Sequence, residues 1–394
     1  MKGVVAFFRR EPVLVISALA AFLSMLAVPP SAAYIEYIDL RVLCLLFCLM
    51  AVVDGLKGCG LFAVMAQRML TGRGSLRRVT LILVLLPFFT SMLVTNDVSL
   101  ITFVPFAVLI LHAIGREDRL IPVIVLQTVA ANLGSMATPV GNPQNLFIYA
   151  KYSVPAGDFF GAVLPVAGAS LVLLVLAVLF GPKDGIEVNF GERAEITHSR
   201  RLALCIVLFI FCLLAVMRVV NYVAVTAVVF ITLHLVDRAA LKQVDYCLLL
   251  TFVFFFIFAG NIGNIPAVND TLSGMLNGST FFTSLLASQV ISNVPAAVLL
   301  AGFTEDWKGL LLGTDVGGLG TIIASLASLI SFKLYCATPG RRAGNTCSGL
   351  PSSTLQHSRC SYRSRCCFCS ETLYLPTASV VQCSAEGAAK WRRI

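Results

Sequence analysis

The chain has 394 residues, 58% of them hydrophobic and only 12% charged, with a mean hydropathy of +0.89 and a formal net charge of +9. That balance excludes a soluble globular protein: runs such as Leu81 to Val94, Leu164 to Phe180 and Leu202 to Val220 hold no acid and a single base, Arg218. A helix needs about 17–25 apolar residues to cross a hydrocarbon core, and the short alternating segments of a β-barrel are absent, so the expected class is an all-α polytopic membrane protein.

Taken in chain order, Lys2, Arg9 and Arg10 precede a first apolar run, Pro12 to Val28. The positive-inside rule then puts the amino terminus in the cytoplasm. Residues Pro29 to Tyr34 also resemble a signal-peptide cleavage site, but a retained helix is favoured and the downstream topology is the same either way. Arg41 to Gly55 returns inward. Gly60 to Leu70, followed by Arg73, Arg77 and Arg78, reads as an interfacial helix on the cytoplasmic face. Thr80 to Val94 then enters the membrane, breaks at Thr95-Asn96-Asp97 and resumes from Val98 to Ile114. The loop Gly115 to Arg119 is basic again, so this unit is a hairpin with both ends inside.

Leu120 to Ala150 crosses outward with an interruption from Gly134 to Asn145, and Gly161 to Phe180 comes back. Residues 182–201 form a polar cytoplasmic linker between a first transmembrane repeat, 1–181, and a second, 202–335. The second repeat runs Leu202 to Val220 outward, Val223 to Val236 inward and Tyr246 to Gly260 outward. Residues 261–280 hold no Lys or Arg and read as external. Phe281 to Phe303 is then a hairpin entering from outside, with Ser292-Asn293 at its tip, and Leu310 to Tyr335 runs inward, interrupted from Gly313 to Gly320. The loop charges therefore predict two inverted-topology repeats, each with a re-entrant hairpin and a broken helix.

The breaks carry the chemistry. Each hairpin tip holds an asparagine, Asn96 or Asn293. Each is followed by a second break of one skeleton, Asn132, Gly134, Thr138 in the first repeat and Asp315, Gly317, Thr321 in the second. Unwound backbone survives in a bilayer only where protein buries it or a wet cavity receives it. Exposed helix amino termini suit an anion, and loosened carbonyls with amide and hydroxyl oxygens suit a hard cation. The candidate substrate- and ion-binding residues are Thr95, Asn96, Asp97, Asn132, Gly134, Thr138, Gly141, Asn142, Asn145, Ser292, Asn293, Asp315, Gly317 and Thr321. Single breaks of this kind also arise from ordinary Gly, Pro and Asn usage in membrane helices, but four in a repeated order do not. Asp97 and Asp315 are the only acids in the broken segments. Their functional reading is cation or proton coupling, and their plain alternative is capping a helix amino terminus. Asp54 reads as interfacial and Arg218 as a snorkelling base near an outer helix end.

Enzyme chemistry finds little material. No phosphate-cradling loop, His-Glu-x-x-His or Gly-x-Ser-x-Gly occurs, and the four histidines stand singly. Basic residues in short inter-run loops imply a lipid bilayer as partner and no nucleic acid. Seven of thirteen cysteines crowd the last 59 residues without completing a tetrahedral metal site, so no resident metal and no cofactor are expected beyond a coupling Na⁺ or H⁺, with Na⁺ placed at the hairpin tips. Cys44, Cys48, Cys59, Cys205, Cys212 and Cys247 read as small core hydrophobes.

Thr95 to Leu100, Ala137 to Asn145, Ser292 to Pro295 and Asp315 to Thr321 resemble the signature segments of the ion-transporter superfamily: citrate-transporter-like permeases, divalent-anion/sodium symporters and arsenite-efflux membrane proteins. The resemblance covers roughly residues 10–335. It implies hairpin tips at Asn96 and Asn293, completed by Asn142 and the Asp315 to Thr321 segment, around a central site that moves by an elevator-like alternating-access step, often in a homodimer. The expected function is secondary active transport of a small anion or oxyanion, citrate- or dicarboxylate-like or arsenite-like, coupled to Na⁺ or H⁺ in the inner membrane. A Na⁺/H⁺ antiporter and a transport-inactive truncated homologue are the alternatives. The first tip is Thr-Asn-Asp and the second continues Val-Pro, departures that move the expectation away from di- and tricarboxylates toward the arsenite or cation-coupled branches. The polar, Cys-rich segment 336–394 lacks the further apolar helix of the superfamily and reads as a disordered tail or a frameshift product.

Overall fold

Side-chain caps set where many of the helices begin. Asp39 accepts from the Val42 N–H at 3.0 Å and starts α3 (Leu40–Gly58). Asp245 does the same through Leu248 for α13 (Tyr246–Gly263), and Asp306 through Gly309 for α17 (Trp307–Gly317). Each cap satisfies an amide that the first helical turn leaves without a partner. The computed structural model describes residues 11–32, 34–188, 193–321 and 324–338. The basic amino terminus and the Cys-rich tail, on which expectations were placed above, lie outside them.

In chain order the remaining helices are α1 (Pro12–Ala27), α2 (Tyr34–Tyr37), α4 (Leu61–Leu70), α5 (Leu76–Ser91), α6 (Asn96–Ala113), α7 (Leu120–Ser135), α8 (Pro143–Lys151), α9 (Ala156–Leu179), α10 (Ser199–Val216), α11 (Tyr222–Val236), α12 (Arg238–Gln243), α14 (Pro266–Gly278), α15 (Thr280–Ile291), α16 (Asn293–Leu300) and α18 (Leu326–Cys336). Four of them, α6, α9, α10 and α13, are long and apolar enough to cross a membrane, and α3 with α4, bent by 55° at their junction, counts as a fifth when the pair is taken as one span. The outward faces of α1, α9, α10 and α11 are apolar, with Leu19, Leu23, Leu173, Ile210, Val228 and Ile231 exposed to what is lipid rather than water. This is a helical multi-pass membrane protein.

Two sets of helices make up the unit that runs to Leu334. In one, α3 packs on α10, α11 and α12, and α13 on α1. In the other, the hairpin α5–α6 packs along α7, and the hairpin α15–α16 along α17, while α8 rests against α16 and α17. Here Val84, Phe88, Ala130, Leu133, Met136, Ala137 and Ala167 form a buried cluster between α5, α7 and α9.

A short antiparallel ribbon joins two loops: β1 (Gly72–Ser75) pairs with β2 (Gly185–Val188), Gly72 opposite Val188. The Arg116 guanidinium reaches Asp184 and Asp118 beside it, and its bond to Asp118 holds that carboxyl below the ordinary carboxylate range. Such exposed pairs contribute little stability, so the ribbon itself is the stronger tie between the linker and the first hairpin.

Within α5, Pro87 has no N–H to give the Leu83 carbonyl. The buried Gln127 amide of α7 donates to that carbonyl instead, at 2.9 Å, and also to Phe103 of α6. A proline inside a span is thus satisfied by its neighbour. Arg218, expected to snorkel, does something more specific. It donates to the Tyr149 carbonyl at 2.9 Å and the Ser153 carbonyl at 2.8 Å, with its guanidinium 5.2 Å from the Tyr149 ring centre. It therefore holds the carboxyl end of α8, where carbonyls lack helical partners and a cation is favoured.

Candidate functional site

Both hairpin tips are built alike. Thr95 and Ser292, the last residues before the second limb, have φ of +46° and +74°, a region rarely entered by residues other than glycine. Neither caps the helix it precedes. The next residue does: Asn96 folds its Oδ1 onto the Asp97 N–H at 3.0 Å, and Asn293 folds its own onto Val294 at 2.9 Å.

Each tip is then held by the break that follows it, through contacts that match position for position. The Asn96 N–H donates to the Gly141 carbonyl at 3.1 Å, and the Asn293 N–H to the Ala324 carbonyl at 3.0 Å. Thr138 Oγ1 donates to the Met92 carbonyl, as Thr321 Oγ1 does to that of Gln289. A Cβ on Gly134 would overlap the Phe88 carbonyl and Ser91, and one on Gly317 would overlap Ser288 and the Leu285 carbonyl. Phe88, Ser91 and Met92 stand at the same distances before Asn96 as Leu285, Ser288 and Gln289 do before Asn293. The glycines and threonines of the two skeletons thus seal hairpin against broken helix.

The two breaks also cross-link. Asn142, which caps α8 through the Asn145 N–H at 2.9 Å, donates its amide to Asp315 Oδ1 at 3.2 Å. In return Ser325, the residue matching Asn142, donates to Oδ1 of Asn132, the residue matching Asp315, at 3.0 Å. Asn132 Oδ1 also receives the Asn96 amide at 2.9 Å. Gln144 adds a second donor to Asp315 Oδ1 at 3.0 Å, and it has no polar counterpart, since Ala327 occupies the matching place. Asn96, Asn132, Asn142, Gln144, Asn145, Asn293 and Asp315 are all buried.

The chemistry of this centre is one carboxylate among neutral amides and hydroxyls. Among the described residues, no ion pair reaches Asp315. Its Oδ2, together with Gln144 Oε1 and Asn145 Oδ1, is buried without a hydrogen-bond partner. Asp97 sits apart from this set: one of its oxygens is also buried and unpartnered, but none of the tip or break amides donates to it. The Asn293 amide lies beside Gly318, and Ser292 Oγ bonds the Ala324 carbonyl at 3.3 Å. A cleft of about 470 Å³ opens between α2 and the ends of α8, α13 and α16, lined by Glu36, Asp39 and Lys151, and the candidate residues are not part of its wall.

Gln144 and Ser325 were missed from the sequence. Gln144 lies inside a segment already marked, between Pro143 and Asn145. Ser325 follows Asp315 at the spacing by which Asn142 follows Asn132, and this repeated spacing was the signal available.

A family model described as citrate transporter matches residues 4–306. Among curated proteins, an uncharacterized transporter of Methanocaldococcus jannaschii is 33% identical over 66% of this chain and 71% of its own length. The inner membrane protein YbiR of Escherichia coli is 30% identical over 75% of this chain and 80% of its own. The silicon efflux transporter LSI3 of Oryza sativa is 33% identical over 42% of this chain and 36% of its own.

Proposed function

The chain belongs to the citrate transporter family, and from that premise we propose that it is a secondary active transporter of a small anion or oxyanion, coupled to Na⁺ or H⁺ and working by alternating access. Family and relatives make it a membrane transporter of the anion permease type, not an enzyme. The finer reading rests chiefly on the reciprocal bonds Asn142–Asp315 and Ser325–Asn132, which join two equivalent hairpin-and-break modules at one buried polar centre. Two helix amino termini, those of α6 and α16, end at the tips with only the Asn96 and Asn293 oxygens on their first amides and favour partial negative charge there. In this reading the core of α5 to α8 and α15 to α18 moves against α1, α3, α10, α11 and α13. The loop charges support opposite orientations for the two modules, repeats at 1–181 and 202–335, a cytoplasmic linker at 182–201, and a cytoplasmic amino terminus in the inner membrane. A homodimer rests on family resemblance alone.

The composition of the centre bears on the substrate. A tricarboxylate brings several negative charges, and the centre offers a carboxylate and no Lys, Arg or His bonded to it among the described residues. A weak oxyacid that enters with its hydroxyls protonated donates to Asp315, Gln144 and Asn145 instead. The similarity to a silicon efflux transporter supports that side of the choice. An antiporter exchanging Na⁺ for H⁺ is the second reading, favoured by the orphaned oxygen of Asp97.

Counterflow in proteoliposomes with citrate, succinate, sulfate, arsenite and silicic acid tests this. Exchange of arsenite or silicic acid is expected, abolished by Asn96→Ala and by Asn293→Ala with membrane insertion intact. Wild-type exchange in both variants sinks the site. Uptake of none of the five, with a Na⁺-dependent pH change, supports the antiporter. Neither signal supports a transport-inactive homologue.

A further inference from the structure

Among the described residues, four other than glycine have a positive φ. Thr95 and Ser292 stand at the hairpin tips. The other two, Ser153 at +51° and Arg218 at +64°, are bonded to each other, the Arg218 guanidinium donating to the Ser153 carbonyl at 2.8 Å. Each stands just past the end of a helix. Beyond α8, the Ser153 N–H returns to the Ala150 carbonyl and the Val154 N–H to that of Tyr149, both at 3.2 Å. Beyond α10, the Arg218 N–H returns to the Ala215 carbonyl at 3.1 Å and the Val219 N–H to that of Leu214 at 2.9 Å. One closing turn is thus used twice, and its left-handed position ordinarily holds glycine, less often asparagine. Arginine carries a conformational cost there that glycine does not, and such a cost persists where surrounding contacts fix it.

The contacts of this arginine cross a boundary. α10 packs on α3 and α11, in the set of helices that stays fixed in the proposed cycle, whereas α8 rests against α16 and α17 in the part that moves. Between α8 and α13 the two parts meet through rings, Phe147 and Phe256 with centres 5.7 Å apart, a contact without direction. Arg218 makes directional ones, to the Tyr149 carbonyl at 2.9 Å as well as to Ser153. A hydrogen bond does not survive beyond about 3.5 Å, so a shift of α8 past α10 by a few ångströms breaks both. We propose that Arg218 is a positioning residue that latches the moving core to α10 in this conformation and so sets its balance with the conformation at the other end of the cycle. Among the described residues no carboxylate pairs with Arg218, and the side chain is part-exposed at a helix end, so water receives the guanidinium when it lets go. The latch rests on the reading of α5 to α8 and α15 to α18 as a moving core.

Its test reads the position of the core rather than transport. Nitroxide labels on ketone-bearing amino acids replace the exposed Lys308 of α17 and Val223 of α11 in the full-length protein, which leaves the native cysteines in place. Pulsed electron paramagnetic resonance in lipid nanodiscs then measures the separation between moving and fixed parts. Arg218→Gly and Arg218→Asn both suit the closing turn, so α10 keeps its end in either variant. Each is expected to raise the ratio of the second separation to the first about tenfold or more over wild type, the scale for losing two bonds from a charged donor. Arg218→Lys, which reaches with one ammonium instead of a fork, falls between. Ser153→Gly relieves the backbone but keeps the accepting carbonyl, and its ratio stays that of wild type. Two separations in a ratio untouched by Arg218→Gly and Arg218→Asn overturn the latch and leave the moving core standing. An equal shift in Ser153→Gly also overturns it, because backbone strain and not the guanidinium then sets the balance. A single separation in wild type and every variant overturns the moving-core reading and the latch with it.

Discussion

The Asn142 amide donates to Asp315 Oδ1 across 3.2 Å, and the two residues come from opposite halves of the chain. The matching bond, Ser325 to Asn132 at 3.0 Å, runs the other way. Only the first ends on a charged group. Asn142→Ala therefore loses a charge-assisted bond, about 1.5–3 kcal/mol, whereas Ser325→Ala loses a neutral one, about 0.5–1.5 kcal/mol, with Asn132 still bonded to Asn96. Thermal melts in detergent are expected to rank Asn142→Ala well below Ser325→Ala, and the opposite order contradicts the assignment.

Gly134 and Gly317 lie where hairpin backbone or side chain leaves no room for a methyl group, while Gly161 and Gly168 of α9 have nothing within 4 Å of the added Cβ. Gly134→Ala and Gly317→Ala are expected to destabilise by about 1–3 kcal/mol or more through overpacking and to stop exchange. Gly168→Ala, in a helix interior, is expected to stabilise slightly, by up to about 1 kcal/mol. Normal exchange by Gly134→Ala shows that hairpin and broken helix do not need this contact.

Thr95 holds a φ of +46° without a capping bond from its side chain. Replacement by glycine removes strain of the order of 1–3 kcal/mol, and a β-branched valine retains it without the hydroxyl. Thr95→Gly is expected to melt higher than wild type or level with it, and Thr95→Val no higher. A clear loss of stability in Thr95→Gly refutes strain as the property of this position.

Gln127 and Pro87 form a dependent pair through the Leu83 carbonyl. Gln127→Leu leaves the Leu83 carbonyl bare, at about 1–3 kcal/mol for an unsatisfied buried group. Pro87→Ala restores an N–H to the helix, so the double variant recovers part of the loss. The coupling energy of the four-protein cycle measures this, and strict additivity excludes it.

Most spans and all four breaks were legible in the sequence, because a polar triplet inside an apolar run has no cheap explanation in a bilayer. Their limits were not. The second break was expected from Gly313 to Gly320, yet α17 continues through Gly317, because the close approach of α15 makes glycine useful inside a helix. The first break begins only after Ser135, for the same reason at Gly134, and ends where Asn142 and Pro143 start α8. Asn96 and Asp97 were taken as part of the unwound tip but already lie in α6. Ser325 was passed over although its spacing from Asp315 repeats that of Asn142 from Asn132, and Arg218 was read only as a snorkelling base, because their partners, Asn132 and the Tyr149 and Ser153 carbonyls, are remote in the chain. The β1–β2 ribbon was invisible for a simpler reason: four-residue strands of Gly, Arg, Ser and Glu have no hydrophobic alternation.

The clasp on α8 makes that helix a mechanical indicator. It spans only Pro143 to Lys151, about 14 Å at 1.5 Å per residue, too short to bend appreciably. Asn142 grips Asp315 at one end, and Arg218 grips the Tyr149 and Ser153 carbonyls near the other. A tilt at the buried end is therefore transmitted undiminished to a guanidinium lying over a tyrosine ring. The separation of that guanidinium from the Tyr149 ring is thus an outward readout of the buried centre.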